Sequence, residues 1–268
     1  MANEETREIH RKRQQGLDRR EFLARASGMG LALGTGLSVV APSKAAAQAG
    51  QPRRGGTLKF PVDANVTPWP PIGLLQNLLV NKSMMNALLR YSPEDWSPQP
   101  DLAEKWEIAK DGLTWTFHLR KDVRWHDGKP FTAEDVKFTL ELFRDPKVAS
   151  PFRGQVVSIN KIEVAGPHTI KLTAERPNSA LLEVLAYLLF MLPKHLLAKY
   201  VEEGKLREAP QNTTQPVGTG PYRFQEWKSG EKVVLVANKD YYVTGRPYLG
   251  RVVYRIIPSQ ATIFLELK

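Results

Sequence analysis

The chain has 268 residues, 42% of them hydrophobic and 25% charged, which is enough for one large or two ordinary domains and excludes a disordered protein. Its 38 Lys+Arg against 28 Asp+Glu give a formal charge of +10, so nucleic acid, an anionic membrane surface and an acidic solute all come into question as partners. The absence of cysteine rules out a disulfide framework, a thiolate metal site, a thiol nucleophile and a lipid-modified cysteine.

The first 25 residues are polar and Arg-rich, and residues 26–41 carry no charge at all. That apolar run is shorter than the roughly 20 residues a membrane span needs. It is followed by Pro42, Lys44 and Ala45-Ala46-Ala47-Gln48-Ala49, which offers A-x-A cleavage after Ala47 or Ala49. Basic region, apolar run and small-residue site in that order predict a secretory signal peptide over residues 1–49. Its junction, Asp18-Arg19-Arg20-Glu21-Phe22-Leu23-Ala24, resembles the twin-arginine export motif, with Arg19, Arg20, Phe22 and Leu23 as the export signal. The Tat translocase is then a transient partner and the periplasm the destination. A basic amphipathic start to a cytoplasmic protein is the plainer alternative, but it leaves the charge-free run and the alanine site unexplained. Removing residues 1–49 takes away 8 basic and 5 acidic residues, and the basic excess that remains is spread out rather than clustered. With no RNP-like strand, zinc-finger spacing or Lys/Arg stripe, no nucleic-acid partner is expected.

Residues 51–56 read as a polar Pro/Gly linker and residues 57–60 as a first strand closed by Pro61. A Pro-rich loop then leads to residues 72–89, whose Leu74, Leu75, Leu78, Leu79, Met85, Leu88 and Leu89 predict a helix with a break near Asn81. From residue 102 the period becomes two. Leu113, Trp115, Phe117 and Leu119 share one face of a strand and Thr114, Thr116 and His118 the other, with Lys110-Asp111-Gly112 as the turn from the preceding strand. Asp127-Gly128-Lys129-Pro130 is a second turn. Thr132 and Asp135 then suit a capping box for a helix with Val136, Leu140 and Phe143 on one face, ending before Pro146. Residues 159–164 and 169–173 form another hairpin. Helices are expected from Ser179 to about Phe190 and from Pro193 to Gly204, and strands over residues 222–227, 232–237 and 252–257. Ser259 opens a last helix with Ile263, Phe264 and Leu267 apolar. No repeat of 20 to 50 residues is present, which excludes a solenoid.

Two ordered blocks carry a resemblance. The first is Leu102-Ala103-Glu104-Lys105-Trp106-Glu107, Asp111-Gly112-Leu113-Thr114-Trp115-Thr116-Phe117-His118-Leu119-Arg120-Lys121, Trp125-His126-Asp127-Gly128 and Phe131-Thr132-Ala133-Glu134-Asp135-Val136. The second is Pro216-Val217-Gly218-Thr219-Gly220-Pro221-Tyr222, Trp227, Asn238-Lys239-Asp240-Tyr241-Tyr242 and Val252-Val253-Tyr254-Arg255-Ile256-Ile257-Pro258. Together they resemble the bacterial extracellular solute-binding proteins of family 5, the dipeptide, oligopeptide and nickel receptors of ABC importers. Tyr242 stands where a Trp is common in that family. The resemblance implies an α/β fold, a periplasmic-binding-protein-like type II lobe with an inserted α+β domain. Residues 50–72 and 208–268 would be part of ligand-binding lobe I and residues 73–207 the insert. Family members are about twice as long, so the chain reads as truncated to about its N-terminal half, with the second ligand-closing lobe absent.

The same resemblance assigns the function. The chain would be the substrate-binding component of an ABC importer, capturing peptides or a similar small organic solute outside the inner membrane and delivering it to the permease by lobe closure rather than by chemistry. The loop after the first strand, Asp63, Ala64, Asn65, Val66 and Thr67, would contribute to the floor of the ligand cleft. Asp63 either pairs with a cationic group such as a peptide amino terminus, or is a solvated or helix-capping loop acid. Phe152, in Ala149-Ser150-Pro151-Phe152, either faces the cleft or packs within its own lobe.

Most other features read as structural. Gly112 and Gly128 supply positive φ in turns, and Trp115 and Phe117 fill the core. Gly218-Thr219-Gly220 lacks the Lys and the following helix of a phosphate loop and suits a tight crossover at an interlobe hinge. Glu134 and Asp135 favour a helix dipole rather than forming a catalytic pair. The histidines have no metal-ligand spacing, and three of the five sit on strands or turns that look solvated. No cofactor and no metal is expected, and no catalytic residue is assigned. Two alternatives stay open: a non-transporting truncated remnant or accessory protein, and a secreted hydrolase using Asp127 or Glu134, which would turn over an ester or peptide where a receptor would only bind it.

Overall fold

The structure is a computed structural model that describes residues 52–63, 78–187, 189–212 and 214–266. Pro52–Lys268 packs as one unit. The export signal Arg19, Arg20, Phe22 and Leu23, the cleavage sites at Ala47 and Ala49, and the loop residues Ala64, Asn65, Val66 and Thr67 lie outside the described residues.

Alternating hydrophobicity builds the larger core. In β5, as the strands are numbered here in chain order (Thr114–Leu119), Trp115, Phe117 and Leu119 are buried while Thr114, Thr116 and His118 are half-buried on the other face. β4 (Ala103–Ile108) pairs antiparallel with β5, setting Trp106 opposite Phe117. The turn between them needs left-handed backbone at Gly112 (φ 66°), and Asp111 Oδ1 accepts the N–H groups of Leu113 and Thr114 at 2.8 and 3.2 Å. β6 (Ile159–Gly166) and β7 (Thr169–Ala174) complete an antiparallel sheet in the order β4-β5-β7-β6.

One helix closes this sheet. The helix Ala133–Arg144 begins at a capping box in which Asp135 Oδ2 accepts the Thr132 N–H at 3.0 Å, and it buries Val136, Leu140 and Phe143. Asp135 also accepts the Lys194 N–H at 3.1 Å, and Thr139 Oγ1 accepts the Leu192 N–H at 2.9 Å. These two bonds seat the segment that leads into the helix Lys194–Glu202. Burial raises the Asp135 pKa, and the Thr132, Lys194 and Trp125 donors oppose the rise.

A second sheet has the order β1-β10-β9-β8, from β1 (Thr57–Val62), β8 (Tyr222–Lys228), β9 (Lys232–Ala237) and β10 (Arg251–Ile256). β8, β9 and β10 pair antiparallel in sequence order, whereas β1 lies parallel to β10, with Thr57 opposite Arg251 and Val62 opposite Ile256. Among the described residues β1 is an edge strand. That position tolerates Pro61, so the strand continues through it rather than closing there as the sequence predicts.

The helix α1 (Leu78–Met84) packs on the second sheet. Val80, Met84 and Met85 join Val233, Leu235, Val252 and Tyr254 in a smaller core, and Ser83 Oγ lies 2.6 Å from the Tyr254 hydroxyl. The helix is shorter than the expected reach to residue 89. Ala87 bridges Phe190 instead, and Leu89 enters the strand β2 (Leu89–Tyr91), which pairs with β3 (Pro98–Pro100). The same bridge draws Phe190 away from the preceding helix, Leu181–Tyr187, which also ends earlier than expected. The last helix is Gln260–Glu266, and no helix among the described residues is long and apolar enough to cross a membrane.

Candidate functional site

Parallel strands that end side by side leave a crevice beyond their carboxyl ends, where open α/β sheets bind ligands. β1 and β10 run together to Val62 and Ile256, and the Ile257 N–H donates to the Val62 carbonyl at 2.8 Å, one step past the ladder. Asp63 follows immediately at that end of the sheet and is exposed. Phe152 takes the second of the two positions the sequence allows, packed within its own part of the fold. It is half-buried beside the first sheet, with its ring 6.4 Å from that of Phe143, and packs against the larger core.

The stretch that brings the chain into β8 is the most constrained feature near the second sheet. Gly218 and Gly220 pass so close to the end of α1 that a Cβ on Gly218 would lie 2.0 Å from the Met84 carbonyl oxygen, and one on Gly220 2.5 Å from the Met84 carbonyl carbon. No side chain fits there. The Gly220 N–H donates to the Met84 carbonyl at 2.8 Å, and Thr219, itself buried, donates its hydroxyl to Asn86 Oδ1 at 3.3 Å.

His126 clamps the same stretch from the other side. Its backbone N–H donates to the Gly218 carbonyl at 2.8 Å, and the Gly218 N–H donates back to the ring Nδ1 at 3.2 Å. An acceptor at Nδ1 places the proton on Nε2, which donates to the Gly220 carbonyl at 3.0 Å. Desolvation pushes the imidazole down to about 4, outweighing the Gly220 carbonyl that favours the cation. His126 is therefore a neutral structural histidine, not one of the solvated ones the sequence suggests. The Gly220 carbonyl also accepts from Asn238 Nδ2 at 3.0 Å, tying the crossover to the end of β9.

The carboxylates that a hydrolase would need are engaged. Asp127 lies 2.6 Å from His195 Nε2 and Glu134 2.8 Å from Lys194 Nζ, both at the start of the Lys194–Glu202 helix. Among the described residues no hydroxyl group bonds to His195, and no cluster of three or more His, Asp and Glu side chains could hold a metal ion.

Residues 97–268 match the family described as bacterial extracellular solute-binding proteins, family 5 Middle, which is more than half of the chain. The chain belongs to this family. Among solved structures, NikZ from Campylobacter jejuni, in complex with Ni(L-His), is similar at 36% identity with a TM-score of 0.71 over 79% of this chain and 41% of that one. The oligopeptide-binding protein AppA of Bacillus subtilis, in complex with a nonapeptide, reaches a TM-score of 0.75 at 28% identity over 81% and 43%. In sequence, AppA is 29% identical over 231 residues, 84% of this chain and 41% of its own length. A Brucella ovis chain is 36% identical over 168 residues, 63% of this chain and 31% of that one. The chain thus spans between about a third and two-fifths of the length of these curated relatives, and its fold is part of a type II periplasmic binding protein.

Family membership accounts for the two motif blocks. The Trp115 to Leu119 alternation, the Thr132 to Asp135 cap and the Gly218 to Gly220 crossover lie within the residues that the family model matches. They are packing positions, which agrees with their burial and close approach here.

Proposed function

We propose that this family member is the substrate-binding component of an ABC importer, capturing peptides or a similar small organic solute outside the inner membrane and handing it to the permease. The observation that carries this reading is the family match over residues 97–268, supported by a parallel β1–β10 pair after whose carboxyl end Asp63 follows. Solved relatives of the same fold hold a nonapeptide, the peptide STSA and Ni(L-His). Asp63 with Ala64, Asn65, Val66 and Thr67 then forms one wall of the cleft, and Asp63 receives a cationic group of the solute. Phe152, packed beside Phe143, contributes at most a ring edge to that cleft.

In the same reading, residues 1–49 are a twin-arginine signal read at Arg19-Arg20 by the Tat translocase and cleaved after Ala47 or Ala49, which delivers the protein to the periplasm. Residues 50–72 and 208–268 supply part of lobe I and residues 73–207 the inserted α+β domain. The Gly218 to Gly220 crossover serves the interlobe hinge, and closure of a second lobe about it would trap the solute without chemical turnover.

The test is uptake of a labelled peptide mixture by native cells. Replacing Asp63 by Ala in the chromosomal gene should lower uptake without lowering the amount of the protein. Undiminished uptake after complete deletion of the gene would refute the importer reading.

A further inference from the structure

At the opposite end of the β1–β10 pair from Asp63 lies a cleft of about 640 Å³, between the start of β10 and the region around β3 and β4. Tyr248, in its wall, precedes β10, and its carbonyl accepts the Gly55 N–H at 2.8 Å just ahead of β1. Six residues of strand at about 3.3 Å each separate that end from Asp63 by roughly 20 Å. The cleft is therefore distinct from the crevice assigned to the transported solute, and binding there is independent of that assignment.

Three guanidinium groups and one carboxylate line the cleft. The carboxylate, Asp101, is already occupied: Asn86 Nδ2 donates to its two oxygens at 3.2 and 3.0 Å, and the Tyr242 hydroxyl donates to it as well. Arg120 is occupied too, bonded through Nε and Nη2 to Asp122 at 3.0 and 2.6 Å while lying 4.8 Å over the Tyr242 ring. Arg246 and Arg90 are different. Arg246 is exposed and stacks 4.2 Å over the Tyr248 ring, and Arg90 uses Nε on the Pro100 carbonyl at 3.1 Å. Arg90 also acts electrostatically on Asp101, which leaves two of the three cationic charges in the cleft without a compensating carboxylate beyond Asp122. Positive charge is thus left over in a recess of ligand size whose walls are tyrosine rings, with Tyr241 and Tyr242 4.6 Å apart. Guanidinium forks match carboxylate and phosphate oxygens, and tyrosine faces accept planar groups at small entropic cost.

We propose that this cleft is a second binding site, for a small organic anion that carries an aromatic ring, with Arg246 and Arg90 holding the anionic group and the tyrosines the ring. Phenyl phosphate is the probe, titrated calorimetrically into the full 268-residue chain beside inorganic phosphate and benzylamine. Saturable one-to-one binding of phenyl phosphate is expected, weaker binding of inorganic phosphate, and none of benzylamine. Arg246→Ala with Arg90→Ala should weaken phenyl phosphate by about tenfold or more, the scale of one lost charged hydrogen bond, and Arg246→Lys should restore only part because it keeps charge but not the fork. Both arginines are exposed, so the variants should melt with the parent chain. No saturable binding of phenyl phosphate at millimolar concentration would overturn the proposal, as would an affinity unchanged in the double variant. Equal affinity for inorganic phosphate would overturn the aromatic requirement, and displacement by an excess of mixed peptides would place the anion in the solute crevice instead.

Discussion

Replacing His126 by Ala removes the clamp on the glycine crossover, and the cost can be worked from its bonds. The buried Gly218 N–H loses its acceptor at Nδ1, which costs about 1–3 kcal/mol, while the Gly220 carbonyl loses one donor but keeps Asn238, a loss of about 0.5–1.5 kcal/mol. Together the substitution should lower stability by about 2–4 kcal/mol near neutral pH. The pH dependence is more telling. The folded imidazole titrates at about 4, below its ordinary value of 6.5, so its contribution is present above pH 6.5 and is lost as pH falls towards 4, by up to about 3 kcal/mol. Asp101 acts in the opposite direction over the same window. Desolvation pushes it up to about 6 against the Tyr242 and Asn86 donors, so its contribution is present below 3.8 and is lost as pH rises through 6, again by up to about 3 kcal/mol. The two slopes oppose each other in the parent chain. Urea unfolding at about pH 7 and about pH 4 should therefore show His126→Ala gaining stability on acidification relative to the parent, and Asp101→Asn losing it. Equal pH changes in the parent and His126→Ala would refute a neutral imidazole bonded to both glycines.

Phe117→Ala should cost about 3–5 kcal/mol, since the ring is fully buried between paired strands, whereas Thr114→Ala on the opposite face should cost far less; comparable shifts in melting temperature would reverse the facing of β5. Gly220→Ala should prevent or severely impair folding because its Cβ meets the Met84 backbone, while Gly112→Ala, in open space at φ 66°, should cost only about 1 kcal/mol; circular dichroism melts of the two variants separate close approach from turn strain. Arg19→Lys with Arg20→Lys should leave the protein uncleaved in the cytoplasm, and export at the parent rate, read by fractionation and immunoblot, would remove the twin-arginine assignment.

What could be read from the sequence and what could not divide along the range of the forces involved. The faces of β5, the left-handed glycines at 112 and 128 and the cap at Thr132 and Asp135 depend on residues within one turn or strand of each other, and each appears where the pattern places it. Residues 85–89 are apolar at helical spacing, yet Ala87 and Leu89 pair with Phe190 and Pro100, partners that no local period reveals. His126 carries the same lesson. Its neighbours Asp127 and Gly128 announce a solvated turn, while its ring is spent on Gly218 and Gly220, far along the chain. The signal for that contact was already in the Gly218-Thr219-Gly220 stretch, where two glycines in positions with ordinary φ ask for something that passes too close for a Cβ. At the candidate site the limit is similar. A strand over residues 57–60 can be read locally, but its continuation through Pro61 and its parallel pairing with a strand almost two hundred residues later cannot, and it is this pairing that sets Asp63 after one end of the pair and Tyr248, with Arg246, at the other. Local patterns therefore specify the pieces of this fold, and the distant pairings between β1, β10, the crossover and α1 decide which side chains are left free to bind.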